Sequence, residues 1–399
     1  MGENGMGDNP FGGLPFFGDM MKAMAGQGPL NWDIAQQFAV MGTSTEGGQP
    51  NVDPAARIAI EQLIPIAVMH VGDVLGDAAQ LSLSQAKYEF FTPAQWCHST
   101  LNAYKPLFNE LATALGQPSA STAGAHTDID LENSDPMSQM MRNLASMMAP
   151  SLLGMTIGSM IGQLAQKAFG QYDLLLPRSP ENTILLVPGT IDDFAESWSL
   201  PHADMRMWVL IHELAAHAVL QVPHIRQALL QAVEQHVKAF RPDPSAAFER
   251  MTHLEVDADN PMAALQHAFS QPEIMLGAVI SPEQEAMMPA LDALLATLVG
   301  VIDWTVDTVA QRVLGGAGAI AEAVRRRRIE ESPADVFVEH LLGVRYTRAV
   351  VTRGKSFVAG VIERSSPEML LGILANPSAL PTPAEVDAPG LWLARLECE

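Results

Sequence analysis

The segment from Met207 to Leu220 constrains the fold of this chain most strongly. Its side chains are apolar except those of His212, Glu213 and His217. Alanine, leucine and methionine lose little rotamer freedom in a helix, and a proline fits the first helical turn. The segment therefore predicts a helix from Pro201 to Leu220, with Ser199 as the candidate N-cap.

The composition of the whole chain points to the same fold class. Of its 399 residues, 48% are hydrophobic and 17% are charged, which is typical of a globular protein. Aromatic residues make up only 6%, whereas methionine alone occurs 22 times. We therefore predict a mainly α fold with at most a small β element. The candidate strand is the run Thr183–Val187, which Pro188 and Gly189 end.

Glycine, proline and small polar residues divide the chain into four predicted segments. These are a flexible N-terminal lead (1–28), an N-terminal helical lobe (29–116), a linker (117–136) and a main helical domain (137–399). Within the lobe, apolar periodicity predicts helices from Pro54 to Val74 and from Pro93 to Leu115.

Charge and cysteine content limit the partners and the compartment. The net charge of −22 opposes binding to nucleic acid or to an anionic membrane surface. Cys97 and Cys398 lack the paired spacing of a metal knuckle or a redox dithiol, and two cysteines suit a reducing compartment. A secretory signal is not apparent at the N-terminus. We therefore expect a cytoplasmic protein that does not bind nucleic acid.

The stretch between Arg142 and Lys167 contains no charged residue. Gly154, Gly158 and Gly162 repeat within it at the spacing that allows two helices to approach closely. Its many serine, threonine, asparagine and glutamine side chains disfavour contact with lipid. We predict a buried helix packed through its glycine face, and a membrane association through 143–166 is the alternative.

The polar residues of the first segment form a near match to a zinc motif. In H-E-x-x-H the two histidines lie four residues apart on one helix face, and the glutamate activates a metal-bound water. Here Ala216 occupies the second histidine position, and His217 follows one residue later. Five residues rotate His217 by about 140° from His212. A π-bulge would be needed to bring both rings to one face.

A second acidic pair has the spacing of a third zinc ligand and its supporting carboxylate. Asp303 and Asp307 lie four residues apart, so both fall on one face of a helix. Plainer interpretations remain open for all of these residues. The two histidines also suit an ordinary packed helix, and the two aspartates suit an acidic stripe. The run Arg325–Arg328 suits a helix end or a docking patch for acidic partners.

Several short segments together resemble an actinobacterial zincin-like family of zinc-dependent metallopeptidases and hydrolases. They are Trp208–His217, Gly170–Asp173, Asn31–Asp33, Gly300–Asp307, Arg325–Arg328 and Leu380–Thr382. The resemblance runs nearly end to end and makes 137–399 a zincin-like helical domain. It implies zinc as cofactor, His212, His217 and Asp303 as metal ligands, Glu213 as catalytic base and Asp307 as the residue that orients His212. The family pattern is H-E-x-x-H-H, and Ala216 departs from it.

This departure separates two functional hypotheses. The first is a zincin-like protein whose metal motif, HELAAH, is degenerate, with weak or lost catalysis and a role in binding an unknown peptide or protein partner. The alternative is an active zinc-dependent hydrolase or peptidase that uses His212, His217 and Asp303 as ligands. A membrane-associated role is the third hypothesis, and no membrane span is favoured.

Overall fold

The structure is a computed structural model. It describes residues 28–43, 51–115, 136–178, 181–241, 281–329, 341–344 and 346–398. The predicted lead (1–28) and linker (117–136) therefore lie outside the described residues, apart from Gly28 and Pro136.

Helices account for most of the described chain, as the mainly α prediction requires, and that prediction is confirmed. In chain order they are α1 (Trp32–Gly42), α2 (Pro54–Leu75), α3 (Asp77–Ser84), α4 (Pro93–Ala103), α5 (Lys105–Leu115), α6 (Pro136–Ala165), α7 (Pro188–Ser197), α8 (His202–Leu220), α9 (Pro223–Lys238), α10 (Pro282–Val313), α11 (Ala317–Ile329), α12 (Arg348–Arg364), α13 (Pro367–Ala375), α14 (Pro383–Asp387) and α15 (Pro389–Cys398). Many begin at a proline because its missing N–H has no helical partner in the first turn.

Two short strands form a small parallel sheet. Strand β1 (Lys87–Phe90) pairs with β2 (Thr183–Leu186), so that Lys87 lies opposite Thr183. Parallel strands require a long crossover, and here α4, α5 and α6 lie between them in the chain. Strand β2 was predicted and is confirmed, whereas β1 was not predicted. Gly170 adds an antiparallel bridge to Leu186 at the edge of β2.

Helix α8 lies at the centre of the fold. It contacts α2, α7 and α10, and every residue from Met207 to His217 is buried. A helix that is covered on all sides encloses its polar side chains as well as its apolar ones. The N-cap of α8 is Pro201, and the N-cap prediction for Ser199 is wrong. Ser199 has a left-handed φ of 53° and belongs to the preceding turn.

The glycine face of α6 packs against α1. A Cβ added at Gly158 would lie 2.2 Å from the carbonyl oxygen of Ala35, and one at Gly154 would lie 2.5 Å from that of Asn31. Only glycine permits such a close approach of two helix backbones. The predicted glycine packing is thus confirmed. Helix α1 comes from the predicted lobe and α6 from the predicted main domain. Their contact therefore joins the two segments in one hydrophobic core.

Two of the described helices, α2 and α10, are long and apolar enough to cross a membrane by length and composition. Core helices of folded proteins share these properties, and both helices contact α8. In the most apolar part of α10, 61% of the residues are buried.

Candidate functional site

His217 lies at the centre of a buried hydrogen-bond network. Its Nδ1 is 2.9 Å from the Tyr172 hydroxyl, and its Nε2 is 2.8 Å from Oδ1 of Asn182. The Asn182 amide nitrogen donates to the Ser82 carbonyl at 2.7 Å, which turns Oδ1 toward the imidazole. Nε2 therefore carries the hydrogen, and Nδ1 accepts from Tyr172. Burial lowers the pKa of His217 to about 4, so the ring is neutral at neutral pH.

Glu213 is enclosed next to this network. Its side chain is 1% exposed, and its Oε2 accepts a hydrogen bond from the Tyr172 backbone N–H at 3.1 Å. Burial raises the pKa of Glu213 well above its usual range, and the nearby Asp173 carboxylate adds to the effect. The Arg178 cation opposes the increase in pKa without cancelling it. Burial therefore shifts the equilibrium of this carboxyl toward its neutral form.

The residues that hold Glu213 belong to a tight turn, Gly170–Asp173, which we call the Gly170 turn. Its last three residues form a 3-10 helix. A Cβ added at Gly170 would lie 2.4 Å from Cδ of Glu213, so glycine is required for the carboxyl to reach the turn. Asp173 Oδ2 accepts from the Gly170 N–H at 2.9 Å, and the Trp96 indole donates to the Gly170 carbonyl at 2.7 Å. The first bond holds the turn closed, and the second joins it to α4.

The arginine run of α11 anchors the same region from outside. Arg327 donates to Asp173 Oδ1 at 2.9 Å, and its guanidinium carbon lies 3.6 Å from the centre of the Phe169 ring. Arg325 pairs with Asp307 at 2.8 Å. These two arginines therefore make internal contacts that join α11 to the Gly170 turn and to α10.

His212 occupies a different environment from His217. Its ring stacks on Trp208 with 5.7 Å between centroids and 9° between planes, and its Nδ1 is 3.5 Å from Oε1 of Glu213. Helix α8 is regular from His202 to Leu220, so no π-bulge brings His217 to the face of His212.

Asp303 and Asp307 are half-buried on α10. Asp307 pairs with Arg325, and burial raises its pKa, with Asp303 adding to the effect. Asp307 was predicted to orient His212, and in the structure it forms an ion pair with Arg325. Within the part of the chain that the structure describes, no three His, Cys, Asp or Glu side chains cluster closely enough to hold a metal ion.

A cleft of about 710 Å³ is lined in part by the Gly170 turn, and we call it the α4 cleft. Helix α4 forms one wall, and residues of β1 and β2 form another. Gln171 of the turn and Arg178 also line it. A cleft of this size suits a small ligand. The Gly170 turn therefore contributes Gln171 to the cleft and the Tyr172 backbone N–H to Glu213.

Comparison with known proteins decides the family. A sequence model of the family described as Zincin-like metallopeptidase matches residues 30–393. The chain belongs to this zincin-like metallopeptidase family. No protein of curated function matches the chain.

This zincin-like protein also resembles a solved structure. A crystal structure from Chloroflexus aurantiacus, described as that of a suspected hydrolase with a novel fold, superposes with a TM-score of 0.59. The match covers 93% of this chain and 99% of that chain at 19% sequence identity. At this identity the likeness shows a shared fold, and the hydrolase description belongs to that protein.

The zincin-like family implies zinc, and the residues present do not fit it as they are arranged. A histidine ligand must offer an unshared electron pair on one ring nitrogen. In His217 one nitrogen carries hydrogen and the other accepts from Tyr172, and Ala216 has no donor atom. Zinc binding by His212, His217 and Asp303 would need a different arrangement and stays a prediction.

The sequence did not predict the two residues that hydrogen-bond to the ring nitrogens of His217. Tyr172 lies in a segment that carried the family resemblance, but no role was assigned to it. Asn182 precedes β2 and has no local signal, because its contacts join Ser82, 100 residues earlier, to His217, 35 residues later.

The raised pKa of Glu213 predicts how stability depends on pH. The unfolded chain loses its Glu213 proton near pH 4.5, whereas the folded chain keeps it to higher pH. The stabilising contribution is therefore present below the unfolded pKa and is lost as pH rises through the folded pKa. A glutamine cannot titrate, and its amide oxygen can still accept from Tyr172. Glu213→Gln is expected to unfold at higher urea than wild type at about pH 8 and at nearly equal urea at about pH 4.5.

The matched control for this measurement is Glu196→Gln, because Glu196 is exposed on α7. Its unfolding curve should follow wild type at both pH values. A Glu213→Gln protein that is less stable than wild type at about pH 8 would show that the folded protein prefers the ionised carboxylate.

Proposed function

We propose that helix α8 of this zincin-like protein, which carries the degenerate zinc motif, has a structural role in the core. Zinc-dependent hydrolysis is then weak or lost, and the protein acts by binding a peptide or protein partner. The bonding of both ring nitrogens of His217 is the observation that carries this proposal. The alanine at position 216 supports it, because a methyl group stands where the motif requires an imidazole.

Recruiting His217 to a metal would break the network around it. Tyr172 is 2% exposed, so its hydroxyl would lose its imidazole partner away from solvent. Leaving a buried donor unsatisfied costs about 1–3 kcal/mol. The ring would also have to leave Asn182, whose amide is fixed by Ser82. Zinc binding would therefore oppose the packing of α8.

Glu213 is also poorly placed for catalysis. A general base must come within hydrogen-bond reach of the water that it activates. Here the carboxyl is 1% exposed and faces the backbone N–H of Tyr172. Among the described residues, the lining of the α4 cleft does not include Glu213. The carboxyl thus supports the turn from inside the core.

Metal content and hydrolysis test the proposal. Protein purified without chelator and then supplied with zinc is analysed by mass spectrometry for bound metal and assayed on a fluorescent casein substrate. We expect far less than one equivalent of zinc and no cleavage that a chelator abolishes. Glu213→Gln should give the same background rate as wild type.

The opposite result would support the alternative hypothesis of an active zinc-dependent hydrolase. It would consist of near-stoichiometric zinc that is lost in His212→Ala, together with chelator-sensitive cleavage that is lost in Glu213→Gln. Thermal unfolding of each variant is measured alongside, so that a loss of folded protein is not mistaken for a loss of metal.

A further inference from the structure

We propose that the α4 cleft binds a ligand through a single carboxylate group, with Arg178 as its charged anchor. This inference deepens the proposed binding function by naming the chemical class of the ligand. Two sources share this chemistry: the C-terminus of a peptide and a free small carboxylic acid.

Arg178 is a buried cation among neutral partners. It lines the cleft and is 9% exposed. Its Nη1 donates to the Ser99 hydroxyl at 2.8 Å, and its Nη2 donates to the Thr100 hydroxyl at 2.7 Å. Its Nε has no hydrogen-bond partner among the described residues.

No described carboxylate forms a direct ion pair with Arg178, and Glu213 interacts with its charge only at longer range. Across the described residues, no aspartate or glutamate lies within ion-pair distance of its guanidinium. Its guanidinium carbon is 5.9 Å from the centre of the Trp96 ring and 5.7 Å from that of Tyr104. Aromatic faces stabilise a cation but add no counter-charge. Because arginine stays protonated and burial of an unpaired charge is costly, an anion in the cleft would stabilise this site.

The rest of the cleft fits a singly charged organic ligand. Gln95, His98 and Asn102 are exposed on one face of α4 and line one wall. Their side chains donate and accept hydrogen bonds, as the polar groups of a peptide require. Leu185 supplies an apolar surface. The mixture of amide, imidazole and apolar groups is typical of small-ligand sites.

Acidic residues in the cleft argue against more highly charged anions. Glu89 and Glu181 both line it. Their negative charges would repel a phosphate or a polyanion more strongly than a single carboxylate. A single carboxylate can still form two parallel hydrogen bonds with an arginine.

Binding of defined carboxylates tests the proposal. The probes are a pool of N-acetylated tripeptides with free C-termini, the same pool as C-terminal amides, and benzoate, with binding followed by two-dimensional NMR of the whole protein. Binding of the acid pool but not of the amide pool identifies a peptide terminus as the ligand source. Binding of benzoate alone identifies a free carboxylic acid.

Variants connect the binding to the cleft. Arg178→Gln is expected to weaken binding by about tenfold or more, because it removes a charge-assisted bond. Asn102→Trp fills the cleft from an exposed helix position and should abolish binding without disturbing the core. Thr113→Trp, on an exposed position of α5 outside the cleft, is the matched control and should bind as wild type does.

Three results would overturn the inference. The first is that neither the acid pool nor benzoate binds, and the second is that the acid and amide pools both bind and do so equally. The third is that a folded Asn102→Trp protein binds as wild type does. The measurement is made in the presence of a chelator, so it does not depend on zinc. Chelator-sensitive hydrolysis would overturn the proposed function and leave this binding result standing. A lack of carboxylate binding would overturn this inference and leave the proposed function standing.

Discussion

Replacing His217 with leucine is expected to destabilise the fold by about 2–4 kcal/mol, in the presence or absence of a metal chelator. The substitution removes the partner of the Tyr172 hydroxyl and of Asn182 Oδ1 together. The buried Tyr172 hydroxyl costs about 1–3 kcal/mol when its bond to the imidazole is lost, and the half-buried Asn182 costs less because water can reach it. Urea unfolding at neutral pH, with and without chelator, measures the change.

A matched substitution separates this effect from the general loss of a histidine. His98 is exposed on α4, so His98→Leu should change the unfolding free energy very little. The chelator decides between the two roles of His217. If chelation alone destabilised wild type as much as the substitution does, His217 would be a metal ligand in solution, and its bonds to Tyr172 and Asn182 would not describe the resting protein.

Replacing Gly158 with alanine is expected to cost about 2–3 kcal/mol, near the upper end for overpacking a core. The added Cβ would lie 2.2 Å from the Ala35 carbonyl oxygen, so α1 and α6 must separate. Alanine favours a helix over glycine by about 0.8–1 kcal/mol, which offsets only part of the cost. Urea unfolding at neutral pH measures the difference.

Gly189→Ala is the control for this experiment. Gly189 is in the first turn of α7, where an added Cβ has no atom within 4 Å. The control should be as stable as wild type or slightly more stable, because alanine has the better helix propensity. A Gly158→Ala protein that matched this control would show that α1 and α6 do not pack closely in solution.

Local sequence patterns predicted the helices and the glycine contact well. The predicted starts at Pro54 and Pro93 coincide with observed helix starts, because a proline in the first turn acts through its immediate neighbours. The helix predicted from Pro93 to Leu115 is interrupted at Tyr104 and forms α4 and α5. Element bounds depend on local geometry that periodicity does not resolve.

The arrangement around α8 was less accessible to sequence reasoning. Strand β1 has only four residues, and its pairing partner lies almost one hundred positions later in the chain. The spacing within HELAAH showed that the two histidines face different directions. It did not show that Tyr172 and Asn182 hold His217, because those contacts come from the tertiary fold.

The Gly170 turn contacts both the α4 cleft and the hydrogen-bond network around Glu213 and His217. Gln171 faces the α4 cleft, and the next residue, Tyr172, bonds to both Glu213 and His217. The buried Trp96 bonds to Gly170 and lies beneath Arg178, which lines the cleft. A ligand bound in the cleft should therefore change the fluorescence emission of Trp96, so binding can be followed without an added label.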